Sequence, residues 1–245
     1  MNRVPTNNPP AKGVLYLLPV TIGDTAPLSV LPADNIMIAR RVKYFIVENV
    51  RTARRFLKKC DPSLNIDELT FFVLDKNTDR SEIDEMMRPL DEGNDICLLS
   101  EAGCPAIADP GSMAVAEAHR RSIKVRPLVG PSSILLSLMA SGFNGQNFAF
   151  CGYLPVDSAQ RNKALREMTR RIDNERQTQI FIETPYRNNR LIDELTKALP
   201  GHYLLCVASD LTGSEERIEV KTLKTWAHES YKYDKIPSIF LLYRD

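Results

Sequence analysis

The chain has 245 residues, 43% of them hydrophobic and 26% charged, which is typical of a globular protein with one large domain or two small ones. Its formal net charge of +1 excludes the global basic field of a general nucleic-acid binder, although it leaves room for a local basic patch. The 5 cysteines form no Cys-x-x-Cys pair and the 3 histidines have no metal-ligand spacing, so neither a disulfide framework nor a metal site is indicated.

The first half of the chain alternates predicted strands with predicted helices. Residues 1–12 are polar and lack an apolar signal core, so we expect a disordered leader and a cytoplasmic protein. Strands are predicted over residues 13–19, 42–48, 70–75, 96–100 and 124–128. Helices are predicted over residues 50–60, from a Ser81-x-x-Asp84 capping box to about 89–93, from Ser112, and over 134–141. This alternation predicts a mostly parallel sheet.

A Gly/Asn-rich break at residues 142–147 marks the predicted domain boundary. It divides the chain into an N-terminal α/β domain over residues 13–142 and a C-terminal α/β domain over residues 143–245. Strands are predicted in the second domain over 148–152, 179–183, 203–209, 217–221 and 238–243, and helices over 159–171, 187–199 and 223–228. Several of these strands follow one another without a helix, which predicts a mixed sheet.

Residues 95–112 carry the strongest functional signal in the chain. A short apolar run is followed at once by a loop containing Gly103, Pro105, Pro110 and Gly111. Ligands of α/β sheets bind at the carboxyl ends of strands, and a glycine there lets the backbone approach a ligand closely. The alternative is an ordinary connection between a strand and a helix.

Three further loops also combine glycine or proline with small hydroxyl or acidic residues at predicted strand ends. These are Pro19–Asp24, Val129–Ser133 and Glu183–Arg187. Neither the G-x-x-x-x-G-K-[ST] pattern nor the G-x-G-x-x-G pattern occurs in the chain. A nucleoside ligand without phosphates is therefore favoured over ATP or NAD.

The loops resemble, in order, those of the tetrapyrrole methylase superfamily, the class III S-adenosylmethionine (SAM)-dependent methyltransferases. The matching segments read PVTIGD, VENVR, SEAGCPAIADPG, VGPSS, ETPYR and SDLT and span roughly residues 13–225. The branch that methylates a ribose 2′-hydroxyl in small-subunit ribosomal RNA is the most similar. The resemblance implies a SAM enzyme with two α/β domains, the cofactor in the cleft between them, and a homodimer.

The resemblance also implies which residues contact SAM. The positions that match the family's contacts are Pro19, Ala102, Gly103, Cys104, Ile107, Ser132 and Ser133. The chain departs from the branch pattern elsewhere, with Thr21, Asn49, Val50, Glu101, Tyr186 and Asp210 in place of the usual residues, and a lysine after Thr212 is lost.

Methyl transfer to a ribose hydroxyl needs a general base, and carboxylates at strand ends are the candidates. They are Glu48, Asp109 and Glu183, of which we favour Glu48 or Glu183. Arg51 or Arg187 would then hold a substrate phosphate. The alternative for each carboxylate is a structural role in capping or in a salt bridge with the nearby arginine.

Two predicted helices are rich in basic residues. The first carries Arg51, Arg54, Arg55, Lys58 and Lys59, and the second carries Arg161, Lys163, Arg166, Arg170 and Arg171, with Arg176 beyond it. Arg166 and Arg170 have same-face helical spacing and are candidate RNA contacts. The alternative for either helix is an ordinary solvated face.

The sequence thus predicts a SAM-dependent methyltransferase that O-methylates a ribose in ribosomal RNA. One alternative is a methyltransferase for a tetrapyrrole or another small molecule, in keeping with the near-neutral charge. The other is a catalytically degenerate module that binds SAM or RNA without turnover, which the changed residues Asn49, Val50 and Tyr186 motivate.

Overall fold

The computed structural model describes residues 11–244, which form two compact units. The first unit comprises residues 11–21 and 26–131, and the second comprises residues 22–25 and 132–244. Residues 1–10 of the predicted leader lie outside the described residues. Within residues 11–244, none of the helices is both long enough and apolar enough to span a bilayer.

The first unit is built on a five-stranded sheet of order β3-β2-β4-β1-β5 in which every pairing is parallel, as predicted. Its strands are β1 (Val14–Leu17), β2 (Tyr44–Val47), β3 (Thr70–Val73), β4 (Ile96–Leu99) and β5 (Lys124–Pro127). Its helices are α1 (Pro27–Val30), α2 (Ala33–Arg41), α3 (Val50–Cys60), α4 (Arg80–Asp91) and α5 (Gly111–Arg120).

Alternating side chains bury both faces of this sheet. Phe45 belongs to an apolar cluster that α2 and α3 cover, whereas its neighbour Ile46 belongs to a second cluster that α4 and α5 cover. All four residues of β4 are buried, because this strand lies at the centre of the sheet. This arrangement explains why the strands read as near-continuous apolar runs.

The second unit contains a mixed five-stranded sheet of order β6-β7-β10-β8-β9, which confirms that prediction. Only β6 and β7 pair in parallel, and the other three pairings are antiparallel. The strands are β6 (Phe148–Tyr153), β7 (Thr178–Ile182), β8 (Leu204–Ser209), β9 (Arg217–Thr222) and β10 (Ser238–Tyr243). The helices are α6 (Ser133–Ser141), α7 (Ser158–Glu175), α8 (Asn188–Ala198) and α9 (Leu223–Trp226).

The unit boundary differs from the domain boundary that the Gly/Asn-rich break suggests. Helix α6 was assigned to the first domain, but Leu138 of this helix packs in an apolar cluster with Ile180 and Leu241 of the second unit. Residue Ile22 joins the same cluster, so the segment 22–25 also belongs to the second unit. Packing of apolar side chains, and not the position of the Gly/Asn-rich segment, sets the division.

Two local features differ from expectation. Helices α1 and α2 were not predicted, because the face of α2 that is buried carries Asn35 and therefore lacks an uninterrupted apolar stripe. The capping box of α4 is formed by Asp79 and Glu82 and not by Ser81 and Asp84, so the helix begins at Arg80.

Candidate functional site

The carboxyl ends of the parallel strands place four loops of the first unit along one edge of its sheet. These loops follow β1, β2, β4 and β5. Backbone hydrogen bonds join them beyond the strands: the Val20 amide donates to the Gly103 carbonyl at 2.9 Å, and the Leu128 amide donates to the Leu17 carbonyl at 3.0 Å. The sequence-predicted loops at 19–21, 100–111 and 129–131 therefore share one edge.

The loop after β4 has a constrained backbone. Gly103, Ala106 and Ala108 have φ values of 72°, 65° and 62°, and the left-handed region disfavours alanine by about 1–2 kcal/mol. Asp109 holds this conformation, because its Oδ1 accepts hydrogen bonds from the amides of Ala106 at 3.0 Å and Gly111 at 2.7 Å. Backbone strain that is stabilised in this way is common at ligand-binding sites.

Asp109 consequently has a structural role in the loop. Burial raises the pKa of its carboxyl group, although backbone donors from Gly111, Ala106 and Ile107 act in the opposite direction. Its Oδ2 atom is buried without a hydrogen-bond partner among residues 11–244. We therefore place Asp109 among the groups that shape the site.

The loops after β1 and β5 are in direct contact. A Cβ atom at Gly130 would lie 2.3 Å from the Cβ atom of Pro19, so only glycine fits beside this proline. The Asn35 side chain donates to the Val129 carbonyl at 2.8 Å, and the Cys104 thiol lies 3.4 Å from the Pro131 carbonyl oxygen. Asn35 was missed in the sequence analysis, since it lies in the unpredicted helix α2.

Five of the candidate SAM contacts belong to the first unit and two belong to the second. In the first unit, Pro19 and Gly103 are buried, Cys104 is half-buried, and Ala102 and Ile107 are exposed. In the second unit, Ser132 caps α6 by accepting a hydrogen bond from the Leu135 amide, and Ser133 is the first residue of that helix. Their contacts with SAM stay predictions.

The first unit has features that fit an adenosine-like group. Ile107 is 50% exposed and Val129 is 74% exposed, and both lie in loops at the carboxyl edge of the sheet. Apolar surface of this kind suits the aromatic base of a nucleoside, and small residues such as Ala102 leave the backbone accessible. The exposed apolar and small side chains of these loops therefore fit the SAM ligand that the family resemblance implies.

Glu48 lies at the end of β2 and is half-buried. Desolvation by burial raises the pKa of its carboxyl group, and the negative charges of Asp109 and Glu101 raise it further, against a hydrogen bond from the Glu101 amide. Glu48 has no ion-pair partner within residues 11–244, and Arg51 makes no ion pair there either. A raised pKa without a paired cation is typical of a general base.

Glu183 has the opposite environment. Its side chain is 1% exposed, and its Oε1 atom accepts hydrogen bonds from Arg187 Nη2 at 2.5 Å and from the Thr184 amide at 2.7 Å. Arg161 Nη2 lies 3.6 Å from its Oε2 atom. Arg161 is itself nearly buried and is also paired with Glu194. These contacts favour the alternative in which Glu183 and Arg187 form a structural salt bridge.

The two basic helices also differ. On α7, Arg161 is buried in ion pairs, Arg170 pairs with Glu167 and Glu175, and Arg171 pairs with Glu167.

On α3, four cations have no carboxylate partner within the described part of the chain. Arg51, Arg54, Arg55 and Lys58 make no ion pair within residues 11–244; Arg54 lies over the Phe71 ring, and Lys58 donates to the Pro62 carbonyl. Asn49, which departs from the family pattern, caps this helix by accepting hydrogen bonds from the Arg51 and Thr52 amides. Helix α3 therefore presents the more strongly positive surface.

Comparison with known proteins shows the family to which the chain belongs. The statistical description of the family "Tetrapyrrole (Corrin/Porphyrin) Methylases" matches residues 14–227. A protein of Vibrio cholerae named "Ribosomal RNA small subunit methyltransferase I" is 30% identical over 237 residues, which cover 95% of this chain and 78% of that protein. A protein of the same name from Halalkalibacterium halodurans is 30% identical, with coverage of 89% and 72%.

Solved structures share the fold. Uroporphyrin III C-methyl transferase from Thermus thermophilus has a TM-score of 0.60 at 16% identity, with 94% of this chain and 97% of that chain covered. Diphthine synthase has a TM-score of 0.64 at 14% identity, with 95% and 90% covered. Together with the family match, this confirms the predicted fold and methyltransferase class: the chain belongs to the tetrapyrrole methylase family.

Proposed function

We propose that this chain transfers a methyl group from SAM to a ribose 2′-oxygen in small-subunit ribosomal RNA. The observation that carries the proposal is the set of four α3 cations that form no ion pair within residues 11–244. This helix begins at Val50, two residues after Glu48, at the carboxyl edge of the parallel sheet. The names of the two bacterial relatives support ribosomal RNA as the substrate class.

SAM, when bound, supplies an activated methyl group on a sulfonium, which an oxygen nucleophile displaces in line. The residues that match the family's SAM contacts would hold it: Pro19, Ala102, Gly103, Cys104, Ile107, Ser132 and Ser133. The backbone of the strained loop offers amide and carbonyl groups to the ligand, and the serine hydroxyls can donate or accept hydrogen bonds.

Glu48 is the residue that we assign as general base. Its half-buried carboxylate would accept the proton of the ribose hydroxyl, since no cation competes for it within residues 11–244. Arg51 lies in the first turn of α3 and would hold an adjacent phosphate. Glu183 is less suited to this role because Arg187 and Arg161 engage its carboxylate.

The proposal is tested by methyl transfer from radiolabelled SAM to small-subunit RNA taken from cells that lack the gene. We expect incorporation into that RNA and none into RNA from cells that contain the gene, with the product identified as a 2′-O-methylated nucleotide by mass spectrometry. SAM binding without transfer would contradict the proposal and favour the degenerate module. Transfer to a tetrapyrrole alone would favour the small-molecule alternative.

Gly130→Ala is expected to lower the affinity for SAM about tenfold, equivalent to ~1.4 kcal/mol. The added methyl group would lie 2.3 Å from Pro19 Cβ and 2.7 Å from Pro19 Cγ, so the loops after β1 and β5 must move apart. Calorimetric titration with SAM measures the effect. Gly145→Ala is the matched control, because a Cβ atom there has no neighbour within 4 Å among the described atoms. Equal affinities in the two variants would show that the contact between the loops after β1 and β5 does not support SAM binding.

The double variant Arg51→Ala/Arg55→Ala is expected to weaken RNA binding and to flatten its salt dependence. Each lost phosphate contact reduces the slope of log K against log salt by about 0.7–0.9, so the slope should fall by about 1.5. Filter binding of small-subunit RNA over a series of salt concentrations measures it. Arg166→Ala/Arg170→Ala should change the slope less, since Glu167 and Glu175 already neutralise Arg170. A larger effect of the second pair would move the RNA surface to α7.

The homodimer that the family resemblance implies and the predicted cytoplasmic location are also part of the proposal. Light scattering of the purified chain tests the first, and cell fractionation tests the second.

A further inference from the structure

A small hollow lies on the first unit where the loops after β1 and β4 meet helix α3. It has a volume of about 190 Å³ and is lined by Val20, Thr21, Thr52, Ala53, Arg55, Phe56, Lys59, Ser100 and Glu101. Its volume is smaller than the roughly 300 Å³ at which sites for drug-sized ligands begin. The hollow therefore suits a single planar ring system and not a four-ring macrocycle.

The lining of the hollow is divided into an apolar floor and a polar rim. Val20, Ala53 and Phe56 are at most 8% exposed and belong to the core cluster that α3 covers. Thr21, Ser100 and Glu101 line the rim from the loops after β1 and β4. An apolar floor with a few fixed polar groups at its rim is the usual form of a site for an aromatic base.

Glu101 is held in place at this rim. Its Oε1 atom accepts a hydrogen bond from the Thr52 hydroxyl at 2.6 Å. Its carboxylate accepts no other side-chain hydrogen bond among residues 11–244, and the cations of Arg55 and Lys59 line the same hollow. A carboxylate only accepts hydrogen bonds when ionised, so it selects a partner that presents N–H groups.

Glu101 also links the hollow to the proposed general base. Val47 of β2 pairs with Leu99 of β4, so Glu48 and the hollow-lining Ser100 follow at neighbouring positions of adjacent strands. Arg55 lines the same hollow. A nucleotide whose base lies on Glu101 would place its ribose toward Glu48 and its phosphate toward α3. This order of groups matches the order of base, ribose and phosphate within one nucleotide.

We propose that this hollow binds the unstacked base of one nucleotide of the RNA and that Glu101 selects a base with an amino donor. This proposal rests on the proposed RNA function and adds a specificity-determining residue to it. The amino groups of cytosine, adenine and guanine donate to a carboxylate, whereas uracil presents carbonyl oxygens at the corresponding edge, which the carboxylate repels.

The test compares single-stranded oligocytidylate and oligouridylate of equal length in fluorescence anisotropy titrations with the full chain. The two bases have the same size and differ at the edge where cytosine carries an amino group and uracil a carbonyl group. We expect the wild-type chain to bind oligocytidylate at least about fivefold more tightly. Glu101→Gln should reduce this preference to less than about twofold, because an amide both donates and accepts.

Two further variants separate recognition from folding. Thr52→Val keeps Glu101 but removes the hydroxyl that orients it, so the preference should fall to an intermediate value. Glu85→Gln, an exposed carboxylate of α4, should leave the preference unchanged. Glu101 is exposed, so Glu101→Gln is expected to retain the melting temperature of the wild type.

Equal binding of the two strands by the wild type, or a preference that Glu101→Gln retains, would overturn the proposal. Binding of neither strand would also overturn it. In each of these cases, methylation of small-subunit RNA by the same preparation decides separately whether the RNA function itself stands.

Discussion

Glu48→Gln is expected to lower the rate constant for methyl transfer to RNA by about 10²–10⁴-fold, the usual contribution of a general base. The amide keeps the size of the side chain but cannot accept the proton of the ribose hydroxyl. Single-turnover transfer from radiolabelled SAM to small-subunit RNA measures the loss. SAM affinity should remain that of the wild type, since Glu48 is not among the proposed SAM contacts.

The pH dependence provides a second readout for Glu48. Because burial and the charges of Asp109 and Glu101 raise the pKa of this carboxyl group above its ordinary value, the rate should fall as pH decreases through that raised pKa. Because the pKa of Glu48 is raised in the folded state, ionising this carboxyl group destabilises the folded protein. Its contribution to the free energy of unfolding is therefore lost as pH rises through the folded-state pKa. Glu48→Gln should therefore not lower the melting temperature at neutral pH. In this variant, the decrease of the methyl-transfer rate at acidic pH should disappear.

A matched variant controls for a general effect of removing one negative charge. Glu85→Gln removes an exposed carboxylate of the same unit and should transfer methyl groups at the wild-type rate. If Glu48→Gln retained more than a tenth of the wild-type rate, Glu48 would not be the base and the carboxylate would have only an electrostatic role.

Glu183→Ala is expected to reduce the free energy of unfolding by about 3–5 kcal/mol, the effect of removing one partner from a buried ion pair. The carboxylate is 1% exposed, lies 2.5 Å from Arg187 and 3.6 Å from Arg161, and its loss leaves the nearly buried Arg161 with Glu194 as its only carboxylate partner among residues 11–244. Urea denaturation followed by circular dichroism measures the change.

Glu175→Ala is the control for this second prediction. Glu175 is on the exposed end of α7 and lies 3.6 Å from Arg170, so its removal should change stability by less than about 1 kcal/mol. A Glu183→Ala protein that is as stable as the wild type, yet cannot transfer methyl groups, would contradict the structural role and return Glu183 to the list of catalytic candidates.

Much of the fold could be predicted because its strands are buried on both faces. Runs such as residues 96–99 are apolar throughout, and the glycines and prolines that follow them mark the strand ends. Helix α2 could not be predicted in the same way, because Asn35 lies on its buried face and its side-chain amide donates to the carbonyl of the distant Val129. The start of α4 was predicted too late for a different reason, because several polar residues near position 80 could each cap a helix.

The sequence by itself determined the family, the alternation of strands and helices, and the loops in which a ligand would lie. These depend on local patterns, namely apolar runs, glycines and short motifs. Only the tertiary structure distinguished Glu48 from Glu183, although each follows a buried strand and precedes an arginine. The difference arises because Arg161, distant in the chain, reaches Glu183, whereas Asp109 and Glu101 surround Glu48 with negative charge. Solvation and charge depend on neighbours from other elements, which a linear pattern does not contain.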